Sequence, residues 1–222
     1  MRNGHTVYET IVFDLDGTLL DTLDDLTAAT NAALTEFSLP SRTKEEVRGF
    51  VGNGIVKLLQ RAVGNTDFSH FPELLAFFKA YYKAHCADYT HPYEGIIPLL
   101  TELKSRGIKT AVLSNKADFA VKQLAKEYFD GFLCEAVGEN EEAGIRKKPA
   151  PDSLFAVIER MGTEKEKVVY VGDSDVDIQT AKNAGVDCIC VTWGFRDRDF
   201  LETHGGEVFV DSPLEIVEFC KE

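Results

Sequence analysis

Asp14 and Asp16 stand two positions apart in the run Phe13-Asp14-Leu15-Asp16-Gly17-Thr18-Leu19, directly after the apolar residues Ile11, Val12 and Phe13. The β-branched and aromatic lead-in predicts a strand. Alternate strand residues share a face, and a tight turn at Gly17 can re-aim them. Two carboxylates aimed into one crevice repel each other, and a divalent cation relieves that repulsion. One carboxylate can then attack an electrophile while the other moves protons. Three later clusters add a hydroxyl, lysines and further acids: Ser114-Asn115-Lys116, Arg146-Lys147-Lys148-Pro149-Ala150-Pro151-Asp152, and Gly172-Asp173-Ser174-Asp175-Val176-Asp177.

The elements around these clusters alternate. Strands are expected over 7–13, 109–113, within 131–137, over 168–171 and over 188–191. Helices are expected over 97–104, 119–128, 153–161 and 176–184, with stops at Gly107, Gly162 and Gly185. A last helix over 213–220 can be capped by Asp211 or Ser212. Such alternation predicts an α/β fold, a Rossmann-like parallel sheet with helices on both faces. Between the first two strands the pattern is helical from about 23 to 86. Ala28, Ala29, Ala32, Ala33, Leu34 and Phe37 recur at helical spacing, and Thr43 to Glu46 has the spacing of a capping box. Further helices are expected over 55–63 and 72–84, where Phe71, Phe77, Phe78, Tyr81 and Tyr82 read as bundle core. The chain therefore divides into a core domain, 1–20 and 92–222, and an inserted α-helical cap domain, 21–91. In a parallel sheet, ligands bind outside the carboxyl ends of the strands. The polar clusters all fall at that edge.

The composition narrows the partners. A chain of 222 residues with 44% hydrophobic and 27% charged residues reads as an ordinary globular protein. Its net charge of -13 argues against nucleic acid or an anionic membrane as a partner. An anionic substrate then needs locally placed cations or a metal. No apolar run is long enough to span a bilayer, and no signal-peptide pattern opens the chain. Five cysteines without Cys-x-x-Cys spacing suggest reduced thiols. A cytoplasmic protein, monomer or homodimer, is expected.

Taken together, Asp14-x-Asp16-Gly17-Thr18, Ser114-Asn115-Lys116, Lys148-Pro149 and Gly172-Asp173-Ser174-x-x-Asp177 resemble, in order, the four signature motifs of the haloacid dehalogenase superfamily. The resemblance implies that Asp14 is a nucleophile forming an aspartyl-phosphate and Asp16 the general acid/base. It implies that Ser114 and the Asn115 backbone bind the phosphoryl group, and that Lys148, rather than its rival Lys147, neutralises charge. Asp173 would bind Mg²⁺ with the Asp14 carboxylate and the Asp16 backbone carbonyl. Asp177 is a second acidic anchor, through water or as a lysine partner. Hard oxygen ligands and a phosphate substrate favour Mg²⁺ over zinc.

The run Gly49-Phe50-Val51-Gly52-Asn53-Gly54-Ile55 reads either as a plain interhelical turn or as a helix start whose amides hold an anion, with Lys57 and Arg61 nearby. It is similar to the cap loop of phosphoglycolate phosphatases, which places Gly52, Asn53 and Gly54 against substrate. The expectation is a Mg²⁺-dependent phosphatase acting on a small phosphorylated metabolite. The alternatives are a pyrophosphatase, a β-phosphoglucomutase-type phosphomutase, or a non-catalytic binding protein on the same scaffold. Phosphomutases of that type usually carry Glu-Asp where this chain has Gly172-Asp173.

Overall fold

A computed structural model describes residues 7–65, 67–139 and 146–220. Its main sheet is built from β1 (Thr10–Phe13), β4 (Lys109–Ala117), β5 (Glu135–Glu139), β6 (Val168–Gly172), β7 (Asp187–Val191) and β8 (Phe209–Val210). The spatial order is β5-β4-β1-β6-β7-β8, and every pairing is parallel. β1 and β6 are buried along their whole lengths, as strands covered on both faces must be.

The period of two divides the core. Ile11 and Phe13 point to the side of α5 (Ile96–Ser105) and α6 (Asp118–Phe129), packing with Leu99, Leu103, Val121 and Leu124. Val12 and Tyr170 point to the other side, against Leu154, Val157 and Met161 of α7 (Asp152–Met161) and Ala181 of α8 (Asp175–Ala184). The α/β architecture expected from the alternation is the one observed.

Between β1 and β4 the chain leaves the sheet. β2 (Leu20–Asp21) and β3 (His91–Pro92) form an antiparallel ribbon. Between them lie α1 (Leu23–Glu36), α2 (Lys44–Phe50), α3 (Ile55–Val63) and α4 (Phe71–His85). α2 starts on the expected capping box: Thr43 Oγ1 accepts from the Glu46 amide at 3.2 Å, and Glu46 Oε2 accepts from the Thr43 amide at 2.8 Å. Leu34, Leu59, Leu74 and Phe78 are fully buried where these helices meet.

Several boundaries differ from expectation. β4 continues to Ala117, so Ser114, Asn115 and Lys116 are the end of a strand rather than a loop after it. The segment expected as a last α-helix is a 3-10 helix, Pro213–Phe219. Three residues per turn bring Pro213, Ile216 and Phe219 onto one side, which suits a short segment packed on α5. Ser212 is its N-cap residue without a side-chain cap bond, while Asp211 accepts from the Thr192 hydroxyl. The first strand begins at Thr10, with Tyr8 making only an isolated bridge to Cys220. α9 (Arg198–Thr203) and β8 are too short for periodicity to announce.

Candidate active site

The carboxyl ends of β1, β4 and β6 open into one cleft. Asp14 follows β1 and is buried; its Oδ1 accepts from the Leu15 amide at 2.7 Å. Lys148 Nζ lies 3.0 Å from Asp14 Oδ2 and 2.7 Å from Asp177 Oδ1. It also donates to the Tyr170 hydroxyl at 2.9 Å, which in turn donates to the Leu113 carbonyl at 2.8 Å. Burial alone would push the Lys148 ammonium down; Asp14 and Asp177 outweigh it and hold it above the ordinary lysine range. Lys147 points elsewhere, its Nζ 3.8 Å from Glu139 Oε1.

Asp173 follows β6 and sits between two glycines. A Cβ on Gly17, whose φ is +81°, would fall 2.3 Å from Asp173 Oδ2, and one on Gly194 would fall 2.3 Å from Asp173 Cβ. No side chain fits at either position, so the carboxylate packs directly on backbone. The Phe195 amide donates to Asp173 Oδ2 at 2.7 Å, and the Thr18 hydroxyl to Oδ1 at 3.3 Å. Gly172 is constrained in the same way, because a Cβ there would fall 2.3 Å from Asp177 Cγ.

Asp14, Asp173 and Asp177 each offer a carboxylate oxygen within 4.8 Å of the others. Burial raises Asp14 to about 7 and Asp173 to about 8; repulsion from neighbouring acids adds to both, while Lys148 opposes it at Asp14. A buried acidic cluster of hard oxygen donors fits a divalent cation such as Mg²⁺. Asp177 is the most committed of the three. Its Oδ1 accepts from Lys148 and its Oδ2 from the Ser174 amide (3.1 Å) and hydroxyl (2.6 Å), within a capping box that starts α8.

Asp16 also lines the cleft. Its Oδ1 accepts from Lys116 Nζ at 2.8 Å and from the Thr22 hydroxyl at 2.8 Å, and its Oδ2 is 3.1 Å from Lys116 Nζ. Ser114 lines the cleft, and its hydroxyl is the last of the influences on the Asp14 carboxyl, lowering its pKa against the larger effect of burial. The Asn115 side-chain Nδ2 donates to the carbonyls of Gly52 (3.1 Å) and Lys148 (3.0 Å), tying the strand end to the helical segment.

Gly52 and Gly54 line the cleft, but the Asn53 carboxamide turns away to accept from Arg61 at 2.8 Å. Arg61 also donates to the Phe50 carbonyl at 2.7 Å, so it braces the loop. Lys116, known from the sequence only as part of a motif, Tyr82, expected as bundle core, and Arg196 and Phe195, outside every motif, also line the cleft. Arg196 stands just after β7, where the strand-end rule applied to β1 and β6 would have found it.

Chemically, the cleft can place a nucleophilic carboxylate, an ammonium group and a second acid around one phosphorus-sized electrophile. Residues 11–191 match the family model described as haloacid dehalogenase-like hydrolase. The phosphoglycolate phosphatase of Pseudomonas syringae pv. tomato is 34% identical over 216 residues, covering 94% of this chain and 75% of that protein. The phosphoglycolate phosphatase of Aquifex aeolicus is 34% identical over 190 residues, covering 83% and 85%. A crystal structure from Lactobacillus delbrueckii subsp. bulgaricus, provisionally assigned as a phosphoglycolate phosphatase, superposes with a TM-score of 0.89 at 38% identity, covering 97% of this chain and 100% of that one. A family match across most of the chain, joined to this arrangement of strand ends, makes the chain a member of the haloacid dehalogenase-like hydrolases.

Proposed function

We propose that this protein is a phosphatase that hydrolyses a small phosphomonoester bearing a carboxylate, of the phosphoglycolate kind. The observation that carries the reading is Asp14, buried at the floor of the cleft with Lys148 Nζ 3.0 Å from its Oδ2. The names of the relatives at 34% identity supply the substrate class.

In this reading Asp14 attacks the phosphorus, the bond to the leaving oxygen breaks, and an aspartyl-phosphate forms. Asp16 gives its proton to the leaving oxygen, then takes one from the water that hydrolyses the intermediate. Lys148 offsets the charge as two anions approach, and Asp177 with Tyr170 holds it in place. Ser114 and the Asn115 backbone orient the phosphoryl oxygens. Asp14 and Asp173, with the Asp16 carbonyl, would hold Mg²⁺, which when bound offsets the negative charge of the carboxylates and the phosphate. Asp177 serves as the lysine partner. Residues 21–91 act as a cap over a core of 1–20 and 92–222, and the Asn115 to Gly52 bond is one tie between them.

Phosphate release from phosphoglycolate, pyrophosphate and a hexose phosphate, each with Mg²⁺ and with chelator, tests the proposal. Phosphoglycolate is expected to be the best substrate, with no turnover in chelator. Turnover undiminished in chelator, or isomerisation of the hexose phosphate without phosphate release, would overturn it.

A further inference from the structure

We propose that Lys116 and Tyr82 form the subsite for the non-transferred, anionic end of the substrate. The inference deepens the phosphatase reading and rests on it. Both residues line the cleft that contains Asp14. Lys116 is 5% exposed, so its ammonium has lost its water and interacts strongly with any anion that reaches it. Its charge is met by Asp16 at 2.8 Å, whose side chain is the more exposed partner at 13%. An entering carboxylate can therefore share or take Lys116 without uncovering a bare buried cation.

Tyr82, from α4, lines the cleft beside Lys116. Its ring lies under Lys116 Nζ, 4.7 Å from the centroid, an arrangement that holds the ammonium in place. Its hydroxyl is buried with its oxygen beside the Lys116 ammonium, which can only donate, and no described residue accepts the Tyr82 O–H. A buried O–H without an acceptor is costly, and a ligand oxygen would supply what is missing. Burial pushes the Tyr82 phenol up, so it remains a donor near neutral pH. Leu26, Ile55 and Leu58 make the adjoining wall apolar. A short carboxylate-bearing tail meets one ammonium and one hydroxyl there; a methyl-ended tail meets neither.

The test is calorimetric binding, with Mg²⁺ present, of 3-phosphonopropionate and propylphosphonate, which differ only in carboxylate against methyl. Neither analogue can be hydrolysed, so the result is independent of whether the protein turns over phosphomonoesters; phosphate release judges that separately. The wild type is expected to favour 3-phosphonopropionate about tenfold or more, the worth of one charge-assisted hydrogen bond in a dry site. Lys116→Met should abolish the preference. Tyr82→Phe, which keeps the buried ring, should cut it about threefold or more while leaving propylphosphonate affinity within about twofold. Equal wild-type affinities, or a preference undiminished in Tyr82→Phe, would overturn the proposal even if Lys116→Met failed to fold.

Discussion

At the scale of single residues, the site depends on carboxylates held where they repel. Asp14→Asn removes the nucleophile and also one charge from the cluster that includes Asp173 and Asp177. Turnover is expected to fall at least about 10³-fold, more than loss of one stabilising donor, because no bond to phosphorus can form. Thermal unfolding of the metal-free protein should be unchanged or raised. Activity within tenfold of wild type would remove Asp14 from its assigned role. Gly17→Ala acts by shape. The new Cβ would fall 2.3 Å from Asp173 Oδ2, and φ of +81° disfavours any side chain. Asp173 must move, so half-saturation by Mg²⁺ should rise about tenfold or more, since second-layer supports of metal ligands have effects of about 10–100-fold. Mg²⁺ dependence identical to wild type would show that Asp173 tolerates displacement.

Elements act through their ends. Arg196, just after β7, donates to the carbonyls of Arg48 and Val51 at 2.9 Å each, at the C-terminus of α2. Arg48 returns the contact to Asp197 at 3.0 Å. These bonds join the helical segment to the same loop whose Phe195 amide holds Asp173. Arg196→Ala leaves both carbonyls without that donor. Amide exchange across α2 and the loop to α3 is expected to quicken about tenfold, the effect of about 1.4 kcal/mol of lost local stability. Exchange indistinguishable from wild type would show that the clamp adds nothing.

Across the whole molecule, the acidic cluster sets how stability varies with pH. Folding raises Asp14 to about 7 and Asp173 to about 8, chiefly through burial. From about pH 4 to pH 8 the native state therefore binds more protons than the unfolded chain, and metal-free stability falls as pH rises. Lys116 and Lys148 are held above the ordinary lysine range and stay charged throughout that window, so they add no slope. In chelator, Tm is expected to drop between pH 6 and pH 8 by at least about 2–4 °C, the change for 1 kcal/mol in a chain of this length. Mg²⁺ should restore more at pH 8 than at pH 6, and Asp173→Asn should flatten the profile. A metal-free Tm that rises over this range would contradict the assigned burial effect. Among the described residues, no helix is long and apolar enough to cross a membrane.

The α/β alternation and the four polar clusters were legible in the sequence, because period, glycine stops and motif spacing are local properties. Val12 and Phe13 announce opposite faces of a strand without any knowledge of what covers them. Which lysine meets which acid was decided only by the tertiary structure. Lys148 reaches Asp14 and Asp177, and Lys116 reaches Asp16 100 positions away, because the parallel sheet sets β4 and β6 on either side of β1. Tyr82 looked like packing because its helical spacing matches a buried stripe, and it is indeed fully buried. Its place in the cleft comes from how α4 sits over the strand ends, a distance between elements that no local pattern encodes. Periodicity reports which face a residue occupies; only the assembled chain determines what that face meets.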